Sequence, residues 1–152
     1  VIFEKFGEAD TLAGVATAGI PWGAMAADQL KLPYIYVRPK PKEHGLGNQI
    51  EGAFTPGQKV LVIEDLISTG KSSLQVVDVL RAAGAEIVGM VAIFTYDFAQ
   101  ASEAFAAAKV PFVCLTNYPS LITLAVEKGY VTKEQESILL DWRNSPSTWT
   151  GK

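Results

Sequence analysis

Cysteine and histidine are almost absent from this chain, and long apolar runs do not occur in it. The single cysteine, Cys114, excludes an internal disulfide framework. It lies in the apolar run VPFVCLT, where a buried and inert thiol is expected rather than a nucleophile. No apolar run reaches the roughly 18 residues that a membrane span needs, so we expect no membrane partner and a cytoplasmic location.

A surplus of positive charge is also missing. The 152 residues include 13 Lys and Arg against 16 Asp and Glu, which gives a formal net charge of −3. A general nucleic-acid binder is usually basic, so nucleic acid is not expected as a partner. The first residues, VIFEKFGEADTL, lack the basic region and long apolar core of a secretory signal. Because the chain begins with Val1 rather than methionine, we expect a processed chain or a fragment.

Short apolar runs alternate with amphipathic stretches, without internal repeats. Strands are expected over 12–16, 33–37, 59–65, 86–96 and 111–115, and helices over 20–30, 71–84, 98–109, 120–129 and 132–144. The strands are apolar throughout, which indicates burial on both faces and therefore a parallel sheet covered by helices. We predict one doubly wound α/β domain over 1–152 with about five strands. Its core spans 12–128, and a C-terminal helix and tail span 129–152.

The strongest motif follows the apolar run VLVI. Two acids stand at the strand's end, and a small, hydroxyl-rich turn then opens directly into a helix, where unpaired N–H groups suit a phosphate. The acids suit vicinal ribose hydroxyls, which are neutral donors. The motif consists of Glu64, Asp65, Leu66, Ile67, Ser68, Thr69, Gly70, Lys71 and Ser72. A nucleotide-triphosphatase P-loop is excluded, because its first glycine would fall at Asp65.

A second motif concentrates positive charge in one short segment. Arg38, Lys40, Lys42 and His44 occupy every second position of YVRPKPKEHGLGNQIEG, residues 36–52. Two interposed prolines exclude a helix, and alternate side chains of an extended segment share a face. The segment therefore presents a row of cations, which suits a small polyanionic ligand.

Three motifs carry a family resemblance over roughly residues 12–128. VLVIEDLISTGKSS resembles the phosphoribosyl-pyrophosphate signature of type I phosphoribosyltransferases. The basic segment and the following GNQIEG resemble the mobile catalytic loop of orotate phosphoribosyltransferases. GVATAGIPWG, residues 14–23, resembles the pyrophosphate-binding turn of that family. The basic segment is the feature that restricts the resemblance, within the type I phosphoribosyltransferases, to those that act on orotate.

The resemblance implies transfer of the phosphoribosyl group from phosphoribosyl pyrophosphate to orotate, in pyrimidine biosynthesis. It implies catalytic roles for Lys42 above all, with Arg38, His44 and Asp65, and contacts from Ser68 and Tyr96 to orotate. It further implies Mg²⁺ bound through the substrate rather than directly by protein. It also implies a homodimer in which the basic segment, called the basic loop below, is shared between subunits. The implied contacts to phosphoribosyl pyrophosphate are Thr17, Ala18, Gly19, Arg38, Lys42, His44, Glu64, Asp65, Leu66, Ile67, Ser68, Thr69, Gly70, Lys71 and Ser72.

The chain departs from the family pattern at the base site. Some relatives carry a lysine where Ala18 stands and an arginine near Tyr96, and the family's N-terminal hood is expected to precede Val1 and to be absent from this chain. Two alternatives stay open. One is a phosphoribosyltransferase for a purine or another base, which would not need the basic segment. The other is a regulatory protein of the same fold that senses phosphoribosyl pyrophosphate.

Overall fold

A computed structural model describes residues 1–38, 40 and 48–150 of the chain. Helices and strands alternate along these residues. The helices are α1 (Ile2–Phe6), α2 (Gly19–Leu30), α3 (Lys71–Ala82), α4 (Ala99–Ala107), α5 (Tyr118–Glu127) and α6 (Lys133–Asn144). The strands are β1 (Thr11–Val15), β2 (Tyr34–Val37), β3 (Ile50–Glu51), β4 (Lys59–Ile67), β5 (Glu86–Thr95) and β6 (Phe112–Asn117).

The described strands form one mixed sheet in the order β3-β2-β1-β4-β5-β6. All neighbouring pairs are parallel except β2 and β3, which are antiparallel. The predicted α/β class and the five predicted strands are therefore confirmed, but the described residues form six strands. The missed strand, β3, has only two residues, Ile50 and Glu51. So short a strand has no apolar periodicity, and pairing with β2 defines it.

Apolar side chains cover both faces of the sheet, which explains the continuous apolar strands. In β4, Val60 and Val62 belong to the core beneath α3 and α4. Leu61 and Ile63, on the other face, belong to the core beneath α1 and α2. A parallel sheet buried in this way leaves its strand ends as the places where polar side chains can meet a ligand.

The helix boundaries agree with several local signals. Helix α3 ends at Ala82, two residues before the predicted end at Gly84. Helix α6 begins with the predicted capping box, in which the Gln135 N–H donates to Thr132 Oγ1 at 3.3 Å. In return, the Thr132 N–H donates to Gln135 Oε1 at 2.9 Å. None of the helices among the described residues combines the length and apolar character needed to cross a membrane.

Replacement of Thr132 tests this cap. Thr132→Ala removes the side-chain acceptor, so we expect α6 to lose about 1 kcal/mol of stability at its N-terminus. Hydrogen exchange of the first α6 amides should accelerate by roughly fivefold, as that free energy implies. Thr132→Ser keeps the hydroxyl and serves as the matched control. Equal exchange rates in Thr132→Ala and the wild type would contradict the assignment.

Candidate active site

Four chain segments meet where parallel strands end. They follow β1 (residues 16–18), β2 (Arg38), β4 (68–70) and β5 (96–97). Because β1, β2, β4 and β5 run parallel, these segments lie at the same edge of the sheet. The predicted site residues outside the basic loop are therefore brought to one edge. Lys42 and His44 lie outside the described residues.

Glu64 is a deeply buried acid at this edge. Glu64 is only 4% exposed, although its side chain carries a carboxyl group. Glu64 Oε2 accepts a hydrogen bond from Ser73 Oγ at 2.9 Å, and Glu64 Oε1 accepts one from the Asp65 N–H at 3.0 Å. Both oxygens are thereby fixed, and the half-buried Asp65 stands next to them.

Burial sets the protonation of Glu64. Desolvation raises the pKa of the Glu64 carboxyl to about 8, and the hydrogen bonds from Ser73 and from the Asp65 backbone oppose this rise. The group therefore carries a proton at neutral pH in the free protein. A carboxyl poised in this range can ionise when a ligand brings hydroxyl donors to it.

Sequence reasoning did not select Ser73, although this residue holds the acid. Ser73 lies in the first turn of α3, 1% exposed, and its hydroxyl turns inward to Glu64. In the sequence it reads as one more hydroxyl after Ser72. The packing of α3 on β4 gives the two serines different surroundings: Ser73 is buried against Glu64, whereas Ser72 is exposed.

The turn between β4 and α3 has the shape that a phosphate site requires. Ser68 and Thr69 are half-buried, and Gly70 directly precedes α3. Gly70 has φ +79°, and a Cβ there would lie 2.7 Å from Phe105 Cε2, so no other residue fits without strain. The first N–H groups of α3 have no partner within the helix and face this turn.

The turn after β1 packs directly against the end of β4. A Cβ at Gly19 would lie 2.6 Å from the carbonyl oxygen of Ile63 and 3.4 Å from Glu64 Cα. Only glycine permits this approach. Tyr34 Oη fixes the start of α2 by donating to the Ile20 carbonyl at 2.8 Å. Thr17 and Ala18 remain exposed, and the peptide bond between Ala16 and Thr17 is cis.

Strands β2 and β3 hold the two ends of the basic loop together. The Arg38 N–H donates to the Gln49 carbonyl at 2.9 Å. The Arg38 side chain is turned to the hairpin itself, with Nε 3.6 Å from Glu51 Oε1 and Cζ 5.6 Å from the Tyr36 ring centroid. Lys40 is exposed. The predicted pyrophosphate contact of Arg38 stays a prediction, as do those of Lys42 and His44.

Tyr96 lies next to the phosphate turn, but its ring packs among other aromatic rings. The Tyr96 N–H donates to the Ile67 carbonyl at 3.2 Å, which joins the end of β5 to the start of the turn. The Tyr96 ring stacks on Phe98 at 5.3 Å and meets Trp142 edge-on at 5.7 Å. The Tyr96 ring therefore contributes to the packing of an aromatic cluster. Its predicted contact with orotate stays a prediction.

A cleft of about 870 Å³ opens beside the phosphate turn. It is lined by Ser68 and Thr69, by the loop after β5 with the start of α4, and by residues 143–148. The C-terminal segment, which the sequence presents as a helix and polar tail, thus borders the candidate site. Arg143 lines this cleft and was not predicted, because a single arginine near the end of an exposed helix carries no motif.

Comparisons with known proteins identify the family. The family model of the phosphoribosyl transferase domain matches residues 1–126. An orotate phosphoribosyltransferase of Bacteroides thetaiotaomicron is 54% identical over 149 residues, which are 98% of this chain and 70% of the relative. One of Listeria innocua is 53% identical, over 97% of this chain and 71% of the relative.

Solved structures share the fold. The orotate phosphoribosyltransferase of Aeropyrum pernix superposes with a TM-score of 0.73 at 31% identity, covering 87% of this chain and 72% of that one. The UMP synthase of Leishmania donovani gives the same TM-score of 0.73 at 26% identity, over 89% of this chain and 29% of its own. With more than half of its residues identical to those of the curated relatives over almost its whole length, the chain belongs to the phosphoribosyltransferase family, among the orotate phosphoribosyltransferases.

Proposed function

We propose that the protein transfers the 5-phosphoribosyl group from phosphoribosyl pyrophosphate to N1 of orotate, which yields orotidine 5′-monophosphate and pyrophosphate. The observation that carries this proposal is the packing of Gly19 against Ile63 and Glu64. This packing brings the turn after β1, a second candidate phosphate-binding turn, next to the acid pair Glu64 and Asp65. The same acid pair precedes the first candidate turn, which begins at Ser68. A ligand with hydroxyls in its middle and phosphates at both ends matches this order.

The chemistry assigns a role to each segment. The α3 N-terminus and the hydroxyls of Ser68, Thr69 and Ser72 hold the 5′-phosphate, while Glu64 and Asp65 accept from the ribose hydroxyls. As pyrophosphate leaves, the ribose becomes positively charged, and the neighbouring Asp65 carboxylate stabilises that charge. Displacement by the orotate nitrogen needs no covalent nucleophile. Rigid positioning of the two reactants supplies much of the acceleration.

The leaving pyrophosphate requires positive charge. We assign this role to the basic loop, with Lys42 first and with Arg38 and His44, and to the turn at Thr17–Gly19. In the proposed homodimer, the loop closes over the site of the neighbouring subunit and excludes water. The proposed location of the reaction is the cytoplasm.

Mg²⁺ is the proposed cofactor. Among the described residues, no group of three or more His, Cys, Asp or Glu side chains is arranged to hold a metal ion. Glu64 is 4% exposed and Asp65 is half-buried, so Asp65 is the carboxylate more accessible to an ion. These donors fit an ion held mainly by pyrophosphate oxygens, ribose hydroxyls and water. When bound, Mg²⁺ supplies positive charge that neutralises the leaving group.

A base-consumption assay tests the function. The protein is mixed with phosphoribosyl pyrophosphate, Mg²⁺ and either orotate or hypoxanthine, and the absorbance of the base is followed. We expect consumption of orotate alone. Consumption of hypoxanthine but not orotate would favour a purine phosphoribosyltransferase, and consumption of neither base would favour the regulatory alternative.

Lys42→Ala tests the loop assignment. Loss of a cation that acts on the departing pyrophosphate should lower kcat about 100- to 1,000-fold. We expect the KM for phosphoribosyl pyrophosphate to change by less than about tenfold, because the phosphate turn still binds the ribose phosphate. Lys40→Ala, two positions away, is the matched control and should retain far more activity. Full turnover in Lys42→Ala would remove this residue from the mechanism.

Ser73→Ala tests the support of Glu64. Without the Ser73 hydroxyl the carboxyl loses a donor that favours its charged form, so the pKa of Glu64 rises further. We expect kcat/KM at pH 7 to fall about tenfold, since one hydrogen bond to such a group contributes about 1–2 kcal/mol. The pH–rate profile should also move to higher pH. Ser137→Ala, on an exposed position of α6, is the control. An unshifted pH profile in Ser73→Ala would count against the assignment.

Proton release on binding tests the state of Glu64. With a pKa of about 8, this carboxyl is mostly protonated at pH 7 in the free protein. Ribose hydroxyls favour the charged form, so binding should release close to one proton, and affinity should rise with pH until about pH 8. Calorimetric titration with ribose 5-phosphate in two buffers of different ionisation enthalpy measures this release. Glu64→Gln should abolish most of it, whereas equal heats in both buffers for the wild type would refute the assignment.

A further inference from the structure

Helix α6 lies outside the part of the chain that matches the family domain, yet it returns to the candidate site. The domain match ends at residue 126, and α6 spans Lys133–Asn144. In its last turn, Arg143 Nε donates to the Tyr96 carbonyl at 3.0 Å. Arg143 Nη2 donates to the carbonyl of Asp97 and, at 2.8 Å, to Asp97 Oδ2. One guanidinium thus engages three acceptors in the loop between β5 and α4.

This loop needs such a partner because of its conformation. Asp97 has φ +58°, a left-handed conformation that is uncommon outside glycine, although asparagine and aspartate adopt it more readily than other residues. The carbonyls of Tyr96 and Asp97 lie beyond the end of β5, where the sheet no longer supplies donors. A planar guanidinium presents its donors in a fixed fork and so holds several acceptors in one geometry. The side chain of Arg143 is only 22% exposed, which limits competition from water.

The preceding residue, Trp142, packs against the same loop. Its ring meets Tyr96 at 5.7 Å, Phe98 at 6.0 Å and Tyr118 at 5.3 Å. Consecutive residues of α6 therefore fix the loop in two ways, one through aromatic contacts and the other through hydrogen bonds. Together they determine where the backbone of residues 96–97 lies.

The loop in turn contacts the phosphate turn. The Tyr96 N–H donates to the carbonyl of Ile67, the residue before Ser68, at 3.2 Å. Ser68, Thr69, Asp97 and Arg143 all line the same cleft. A continuous path of hydrogen bonds therefore runs from the Arg143 guanidinium through Tyr96 to the start of the turn.

We propose that Arg143 is a positioning residue for the ribose-phosphate site. Through Tyr96 and Asp97 it holds the start of the turn at Ser68 in the geometry that binds the 5′-phosphate. Helix α6 is then a functional part of the site rather than an appendage to the domain. This inference rests on the function proposed above, since it assigns the ribose phosphate to that turn.

Three variants test the proposal by calorimetric binding of ribose 5-phosphate and by steady-state kinetics. Arg143→Ala should raise both the Kd for ribose 5-phosphate and the KM for phosphoribosyl pyrophosphate roughly tenfold, with kcat changed less than about threefold. Arg143→Lys keeps the charge but not the fork, so an intermediate rise of about threefold is expected. Lys133→Ala breaks an ion pair of the same helix, with Glu136 at 2.7 Å, and should bind as the wild type does.

A control for stability separates positioning from a general loosening of α6. Thr132→Ala weakens the opposite end of the helix and leaves Arg143 in place. If it raised the Kd as much as Arg143→Ala does, the effect would be one of stability, and the proposal would be wrong. If Arg143→Ala does not fold, Arg143→Lys decides the question, because a wild-type Kd in that variant also overturns the proposal.

Failure of the proposed function is distinguishable from failure of this inference. A wild-type protein that does not bind ribose 5-phosphate would refute the assignment of the turn, and the role of Arg143 with it. Tight binding by both the wild type and Arg143→Ala would leave the proposed function intact and refute the inference alone.

Discussion

The buried carboxyl of Glu64 is the constraint on which the rest of the site depends. A sheet covered on both faces forces the end of β4 out of water, and a carboxyl there is costly to bury unless its oxygens are hydrogen-bonded. Ser73 and the Asp65 N–H supply those bonds. Because Ser73 belongs to the first turn of α3, the helix can begin in only one position relative to the strand. The position of the phosphate turn between them follows from this contact.

Close backbone approach completes the edge of the sheet. Gly19 lets the turn after β1 approach the backbone of Ile63 and Glu64 closely. Gly70 lets the turn after β4 pack directly against the Phe105 ring. A Cβ at either position would collide with its neighbour, so any larger residue would force the turn to shift. The small residues of this edge are thus a geometric requirement of a site made mainly from backbone groups.

The parts of the structure that the sequence predicts are those specified by local chemistry. Continuous apolar runs identify β4 and its neighbours, the acid pair with its turn marks the strand-to-helix junction, and Thr132 with Gln135 marks the start of α6. Two of the missed features depend on contacts between segments that are far apart in the sequence. Strand β3 exists through its pairing with β2, and the contact from Arg143 to Tyr96 spans 47 residues of sequence. No local pattern encodes either contact.

Charge accounting at this edge shows why the basic loop matters for the proposed reaction. The two described arginines that lie at this edge are matched by acids, Arg38 by Glu51 and Arg143 by Asp97. In the free protein their charges are therefore balanced by these acids, and the role proposed for Arg38 requires it to exchange Glu51 for the pyrophosphate. A polyanion entering the site must be neutralised by the N–H groups at the start of α3, by metal ions it brings along, and by cations that arrive when it binds. Lys42 and His44 are the residues that the sequence offers for this last role. In the proposed mechanism, positive charge from the loop is added only when the polyanion binds, so the free protein does not have to fold with unbalanced cations at this edge.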